Sequence, residues 1–224
     1  MPEQAVIFDM DGVLVDSYRA HFESWRRVAR RLGREMTEEE FASVFGRTNP
    51  DIFEALWPGV VPADEVDHWS DTKEAAYREI LLADFPAMGG AAELIAALKA
   101  AGFRLAVGSS GPPENVACAV EGLALPDAFD AVVHGKDVSR GKPDPEVFLR
   151  CAERLGVGLD SCAVIEDACP GVEAARRAGM VPVALTGTAP RERLAASGAM
   201  LVVDSLWELS PALLAGLIGG RRPA

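Results

Sequence analysis

The chain has 224 residues, about half of them apolar and a quarter charged, which is typical of a globular protein large enough for a core with an inserted lobe. Its net charge of −12 argues against nucleic acid as a partner, because a phosphate backbone requires a basic face, but still allows a small phosphorylated ligand. No apolar stretch approaches the roughly 20 residues of a membrane span, and the cysteines form no CxxC pair. We therefore expect a cytoplasmic protein with reduced thiols and no membrane partner.

The first predicted strand is the apolar run 5–7, and two acids follow it at Asp9 and Asp11. Alternate strand residues face the same side, so both carboxylates could share one pocket if the extended geometry persists, and Gly12 then permits a sharp turn. Such close carboxylates repel each other unless a cation or a shared proton compensates, and a hard divalent metal is the expected compensation. The alternative is a polar turn, since Asp-Gly is a common turn dipeptide. This stretch alone favours neither the metal site nor the polar turn.

The next interval, from about residue 18 to residue 85, contains no clear buried strand. It shows amphipathic helical patterns at 20–32, 38–45, 50–56 and 63–82, the second preceded by a capping-box sequence at Thr37. Its tryptophans, Trp25, Trp57 and Trp69, are expected to form the core of this segment rather than a stacking platform. We predict a helical cap domain at 17–86, inserted into a Rossmann-like core formed by 1–16 and 87–224.

From residue 90 onward, short apolar runs alternate with longer helical patterns. The predicted strands are 105–108, 131–133, 162–165, 181–185 and 200–203, and the predicted helices are 91–101, 113–121, 145–155 and 171–178. Fully apolar strands separated by helices indicate an α/β fold with a doubly wound parallel sheet that is covered on both faces. The last residues, 219–224, are expected to fray.

Ligands of open parallel α/β sheets collect at the carboxyl ends of the strands. The second strand is followed by Ser109 and Ser110, and the fourth by Glu166 and Asp167, while Lys142 precedes the helix after the third. Each has an ordinary explanation as a loop hydroxyl, a helix cap or a solvated charge. Their joint placement with the first two acids at one sheet edge instead favours a site for a phosphate or a metal.

These residue types suit phosphoryl transfer. A carboxylate can attack phosphorus and form an aspartyl-phosphate, which splits one difficult displacement into two easier steps. A second carboxylic acid can protonate the leaving oxygen and later deprotonate the attacking water. A hydroxyl and an ammonium can hold the phosphoryl oxygens, while a metal between Asp9 and Asp167 would neutralise like charge and orient the nucleophile.

Four segments in order resemble the haloacid dehalogenase-like hydrolase superfamily. Within it, they are similar to the branch with a helical cap after the first strand, which holds β-phosphoglucomutases and sugar and metabolite phosphatases. The segments are residues 9–17 (DMDGVLVDS), 106–110 (AVGSS), 141–148 (GKPDPEVF) and 164–175 (VIEDACPGVEAA). The resemblance covers nearly the whole chain.

The resemblance implies a magnesium-dependent enzyme in which Asp9 is the nucleophile and Asp11 the general acid/base, with the Asp11 backbone carbonyl on the metal. By role, the implied site residues are the catalytic Asp9 and Asp11, the phosphate-binding Ser109, Ser110 and Lys142, and the metal ligands Asp9, Asp11, Glu166 and Asp167, with Glu166 either a ligand or a partner of the ligands. One departure is Ala168-Cys169, where relatives often place a hydroxyl after the acidic pair.

Asp11 also argues against dehalogenation, because a halide leaves without a proton whereas an oxygen leaving group requires one. A phosphatase, a phosphonatase and a mutase remain. The phosphonatases of this superfamily form a Schiff base on a cap lysine, and Lys73 is the only lysine of the predicted cap, but its surroundings show no matching motif.

The mutase alternative depends on the cap. His21, Gly46 and Lys73 match residues of β-phosphoglucomutase-like proteins, but Asn49 stands where the mutase has an arginine for the second phosphate. Arg47 could partly replace that arginine. The simpler explanations are that His21 orders the hinge and that Lys73 and Arg47 are solvated surface charges.

The sequence therefore favours a magnesium-dependent phosphatase that acts on a small phosphorylated metabolite, with a sugar phosphate as the expected substrate. The first alternative is a phosphosugar mutase of the β-phosphoglucomutase type. The second is a non-catalytic module on this fold that binds a phosphorylated ligand or a protein, which the complete set of acids and Lys142 disfavours. The oligomeric state is not predicted.

Overall fold

The computed structural model describes residues 3–125 and 127–220, and the chain divides into two compact units. One unit comprises the residues up to Asp16 and those from Pro86 onward, and the other comprises Ser17–Phe85. Of the residues 219–224 that were expected to fray, Gly219 lies at the end of the last helix, and residues 221–224 lie outside the described residues.

The first unit is built on a six-stranded parallel sheet in the order β3-β2-β1-β4-β5-β6. The strands are β1 (Ala5–Phe8), β2 (Arg104–Gly108), β3 (Ala131–Val133), β4 (Cys162–Glu166), β5 (Val181–Leu185) and β6 (Leu201–Val203). The order runs outward in both directions from β1, so the predicted doubly wound α/β fold is confirmed. Phe8 pairs with Val107 and with Ile165, so the central strands end at one level and bring their following residues together.

The second unit consists of helices and turns throughout residues 17–85. Its helices are α1 (Tyr18–Arg31), α2 (Glu38–Val44), α3 (Asn49–Leu56) and α4 (Val66–Ala83), with a short helical turn at Ala63–Glu65 before α4. Trp25 and Trp57 are buried in an aromatic core against which Trp69 packs, so the prediction for the tryptophans is confirmed. Thr37 forms the expected capping box with Glu40 at the start of α2.

Six further α-helices lie in the described part of the first unit. They are α5 (Ala91–Ala100), α6 (Pro113–Gly122), α7 (Glu146–Leu155), α8 (Cys169–Arg177), α9 (Arg191–Ala196) and α10 (Pro211–Gly219). The last two were not predicted. The helix α9 spans only six residues, too few for a periodic pattern, and α10 is so uniformly apolar that its buried Leu214 and Ile218 have no polar contrast.

The core beside β1, β2 and β4 is packed by α7 and α8, and it includes Phe148, Cys151 and Cys162. All four cysteines are free, and three of them are buried, as expected for thiols that serve as small apolar residues. Within the described residues, no helix combines the length and the apolar character needed to cross a membrane.

Candidate active site

The backbone after β1 is extended at Asp9 but has turned by the time it reaches Asp11. The Asp9 amide donates to the Ile165 carbonyl at 2.9 Å, so Asp9 extends the pairing of β1 with β4 by one residue. The chain then turns: the Met10 carbonyl accepts the amide of Leu14 at 2.9 Å, and Gly12 adopts a φ of +76°. The extended geometry therefore does not persist to Asp11. The turn nevertheless keeps the Asp11 carboxylate close enough to help raise the pKa of Asp9.

Lys142 links the ends of three strands. Its ammonium nitrogen donates to Asp9 Oδ1 at 2.6 Å, to Glu166 Oε1 at 2.7 Å and to the Gly108 carbonyl at 3.3 Å. The side chain is only 11% exposed and lies over the Phe148 ring, with Nζ 4.9 Å from the ring centroid. Lys142 is therefore a component of the acidic cluster rather than a solvated charge.

Glu166 uses both of its carboxylate oxygens within the protein. Oε1 accepts from Lys142, and Oε2 accepts from the amides of Asp167 and Ala168 at 2.9 and 3.0 Å. A Cβ on Gly171 would overlap this carboxylate, so only a glycine in the first turn of α8 leaves room for it. This arrangement makes Glu166 a buried partner of Lys142.

Three carboxylates converge at this sheet edge. Asp9, Glu166 and Asp167 are buried, and each offers an oxygen within 4.8 Å of those of the others. The Asp11 carboxylate is not part of this group, so the predicted ligand role of Asp11 depends on its backbone carbonyl. A Cβ on Gly12 would overlap Asp167 Oδ2, which explains why a glycine follows Asp11.

The charges of this cluster are unbalanced. Burial raises the pKa of Asp9 to about 7 although Lys142 opposes the rise, and burial also raises the pKa of Asp167, with Glu166 and Asp9 adding to it. Burial alone would lower the pKa of Lys142, but Asp9 and Glu166 outweigh it and raise that pKa. Three acids against one ammonium leave surplus negative charge, and their hard oxygen donors fit a divalent ion such as Mg²⁺.

The serine pair follows β2 at the same edge. Ser109 is 2% exposed, its amide donates to the Val133 carbonyl at 3.0 Å, and its hydroxyl oxygen accepts from the Gly111 amide at 3.0 Å. These two bonds fix the position of the hydroxyl. Ser110 is exposed at the top of the loop.

Two of the four predicted cap residues contact each other inside the second unit. Lys73 Nζ lies 2.8 Å from His21 Nδ1 and donates to Glu74 Oε1 at 3.0 Å, while the His21 ring stacks on Tyr77 with centroids 4.2 Å apart. Lys73 is only 2% exposed, so its description as a solvated charge is wrong.

The other two predicted cap residues, Gly46 and Arg47, are exposed in the turn between α2 and α3. Asn49, at the start of α3, donates to Glu74 Oε1 at 2.8 Å and thereby joins the cluster of His21 and Lys73. The cap cluster therefore contains a neighbouring acid that the sequence patterns did not single out.

Thr188 is a site residue that sequence reasoning missed. It follows β5, and its hydroxyl hydrogen bonds to the Asp167 carboxylate. The rule that polar residues after parallel strands gather at one edge would have found it, had it been applied to the fifth strand.

Comparisons with known proteins agree with this geometry. The model of the haloacid dehalogenase-like hydrolase family matches residues 3–179. A phosphorylated carbohydrates phosphatase of Thermotoga maritima is 35% identical over 79% of this chain and 82% of its own length. The β-phosphoglucomutase of Bacillus subtilis is 30% identical over 94% of this chain and 93% of its own.

Solved structures give the same result. The family IA, variant 3 hydrolase of Entamoeba histolytica superposes with a TM-score of 0.87 and 27% identity, covering 96% of this chain and 99% of its own. The likeness therefore extends over nearly the entire chain.

Proposed function

The chain belongs to the haloacid dehalogenase-like hydrolases, and on this premise we propose that it is a magnesium-dependent phosphatase of phosphorylated carbohydrates. The observation that carries the proposal is the convergence of Asp9, Lys142 and Asp167 at the strand ends beside the Ser109 loop. These groups are a nucleophile, a phosphoryl-binding cation and a metal-binding acid.

In the proposed first step, an oxygen of the Asp9 carboxylate attacks phosphorus, and the bond from phosphorus to the sugar oxygen breaks. Asp11 gives its proton to that leaving oxygen, so the sugar departs as an alcohol. In the second step, Asp11 takes a proton from water as the water attacks the aspartyl-phosphate, which restores Asp9 and releases phosphate.

Binding of the transferring group is assigned to Ser109, Ser110 and Lys142. Ser109 and Lys142 occupy positions fixed by hydrogen bonds before any substrate arrives, so they need little reorganisation when charge develops on the phosphoryl oxygens. The contact of Lys142 with Asp9 Oδ1 also keeps the nucleophile oriented.

A bound Mg²⁺ would be held by the carboxylates of Asp9 and Asp167 and by the Asp11 carbonyl, with Glu166 as a ligand or as the partner that fixes Lys142. It would neutralise surplus negative charge and so lower the repulsion that an anionic phosphate meets on approach. Support comes from the three buried acids and from the overlap that any side chain at Gly12 would produce with Asp167.

A phosphosugar mutase is the second candidate, supported by the relative from Bacillus subtilis and by the contact between His21 and Lys73. A mutase must hold a bisphosphate at both ends. Here Asn49 stands where the mutase has an arginine, and the ammonium of Lys73 is paired with Glu74. These residues therefore offer little positive charge to a second phosphate. This difference favours the phosphatase.

Contacts of the substrate with His21, Gly46, Arg47 and Lys73 are part of the proposal, as is a location in the cytoplasm. The location is supported by four free cysteines, which a reducing compartment would keep as thiols.

The test is a screen for phosphate release from sugar and sugar-alcohol monophosphates in magnesium buffer. Release of free phosphate from members of this class is expected, and no release from any of them would contradict the proposal. Incubation with a hexose 1-phosphate and a trace of hexose bisphosphate separates the candidates, since isomer without free phosphate identifies a mutase.

A further inference from the structure

The loop of residues 109–111 rests on the turn that follows β3. The Gly135 amide donates to the Gly111 carbonyl oxygen at 2.8 Å. A Cβ on Gly135 would lie 2.5 Å from the Ser110 carbonyl oxygen and 3.1 Å from that of Gly111. Side-chain carbons do not approach backbone oxygens as closely as 2.5 Å, so any larger residue at position 135 must change how the loop and the turn rest on each other.

An ion pair fixes the other side of the same turn. The Asp137 carboxylate accepts the His134 amide at 3.0 Å and the Arg154 guanidinium at 2.8 Å. Arg154, on α7, also donates to the carbonyl of Val132 in β3. Gly135 lies between His134 and Asp137 in the chain, so these contacts bracket the residue that supports the loop.

We propose that Gly135 and the pair of Arg154 and Asp137 are positioning residues, which hold the loop of residues 109–111 where it binds the phosphoryl group. The inference rests on the proposed function. Displacing a binding group by about 1 Å can cost up to roughly 10²-fold in activity, so a support one step removed from the substrate affects binding strongly.

A positioning role and a merely structural role predict different changes in phosphate affinity. The Arg154 side chain is 42% exposed, and exposed ion pairs contribute little to stability. A structural role would therefore leave phosphate affinity unchanged, whereas the positioning role lowers it.

The experiment compares Gly135→Ala and Arg154→Ala with the wild type in magnesium buffer. Inhibition by inorganic phosphate and titration calorimetry with inorganic phosphate report the affinity of the loop, and p-nitrophenyl phosphate reports kcat and KM. We expect Gly135→Ala to weaken phosphate binding by about tenfold or more and to raise KM, with a smaller change in the same direction for Arg154→Ala.

The chain offers a matched control for each variant. A Cβ on Gly216, in α10, meets open space. Arg191 resembles Arg154 closely, because it donates to the Val202 carbonyl of β6 at 2.7 Å, pairs with Asp204 at 2.8 Å and has a side chain 44% exposed, but at the opposite edge of the sheet. Gly216→Ala and Arg191→Ala should keep wild-type phosphate affinity.

The two proposals fail in different ways. A wild type that binds phosphate, with both variants equal to it, would overturn the inference alone. A wild type that neither binds inorganic phosphate nor hydrolyses the ester would overturn the proposed function and the inference together. If Gly135→Ala does not fold, Arg154→Ala decides, because its change lies on the surface away from the loop.

Discussion

Two lysines with little exposed surface, one in each unit, each lie over an aromatic ring beside a carboxylate, but the charges around them differ. Lys142 lies over the Phe148 ring, and its ammonium nitrogen is within 2.7 Å of the Asp9 and Glu166 carboxylates. Lys73 lies over the Tyr77 ring, and its ammonium nitrogen is 3.0 Å from the Glu74 carboxylate. Asp167 adds a third acid near Lys142, whereas Lys73 also lies 2.8 Å from a ring nitrogen of His21.

The difference lies in the charge balance. Around Lys142 the acids outnumber the ammonium, so Glu166 adds to the rise that burial causes in the pKa of Asp9, and the surplus negative charge suits a divalent ion. Lys73 instead donates to Glu74 within its own unit, as expected for a buried pair that orders that unit. A similar packing environment therefore does not imply the same function.

The largest effect is expected for Asp9→Asn, which removes the nucleophile while keeping the volume of the side chain. Turnover should fall by at least roughly 10³-fold, since an amide oxygen forms no stable bond to phosphorus under these conditions. Rates with p-nitrophenyl phosphate measure the loss, and circular dichroism confirms the fold. Retained turnover would remove Asp9 from the mechanism.

Lys142→Met should lower kcat by about 10²–10³-fold, because it removes a preorganised donor to the phosphoryl oxygens. Steady-state kinetics with the same ester measure this. Lys73→Met is the matched variant in the other unit and should have a much smaller effect on kcat with this ester. An equal loss of kcat in both variants would show that the two lysines do not differ in function.

Asp11→Asn should slow hydrolysis of sugar phosphates by about 10²-fold or more, and hydrolysis of p-nitrophenyl phosphate far less. The reason is that an alkoxide requires a proton to leave, whereas p-nitrophenolate does not. The ratio of kcat/KM values for the two substrates is the measurement. An equal loss of kcat/KM for both substrates would show that Asp11 is not the general acid.

Lys73→Met should destabilise the protein by roughly 2 kcal/mol, because it removes the ammonium that donates to the mostly buried Glu74. Urea unfolding followed by tryptophan fluorescence measures the change, since three tryptophans belong to this unit. Adding Glu74→Gln should recover part of the loss. No recovery in the double variant would show that the pair is not coupled.

The last prediction concerns how the stability of the metal-free protein depends on pH. Burial raises the pKa of Asp9 from 3.8 to about 7, so the folded state keeps a proton that the unfolded state loses. Stability should therefore fall as pH rises from 4.5 to 7, by up to about 1.4 kcal/mol per pH unit for each such group, and Asp167 acts in the same direction.

The acids whose pKa values are lowered in the folded protein act mainly below this pH window. Asp130 and Asp137 have lowered pKa values, so the stability that they contribute is lost only at more acidic pH. Melting temperatures with chelator and with Mg²⁺ measure the effect, and the ion should flatten the slope because it favours the ionised acids. Rising stability of the metal-free protein with pH would contradict this account.

The sequence by itself determined the sheet and the edge at which chemistry is expected. Parallel strands read as short apolar runs, and the residue after each run must stand at the same edge, so Asp9, Ser109 and Asp167 could be placed together without any tertiary information. The same rule, followed to the fifth strand, would have included Thr188.

Only the tertiary structure decided how the long polar side chains are used. Lys73 and His21 are 52 residues apart and meet because α1 packs against α4, a contact that no local pattern encodes. Likewise, both Glu166 carboxylate oxygens accept hydrogen bonds within the protein because Gly171 leaves room for the carboxylate. Strand ends follow from local periodicity, whereas the burial and pairing of a flexible charged side chain depend on which elements pack around it.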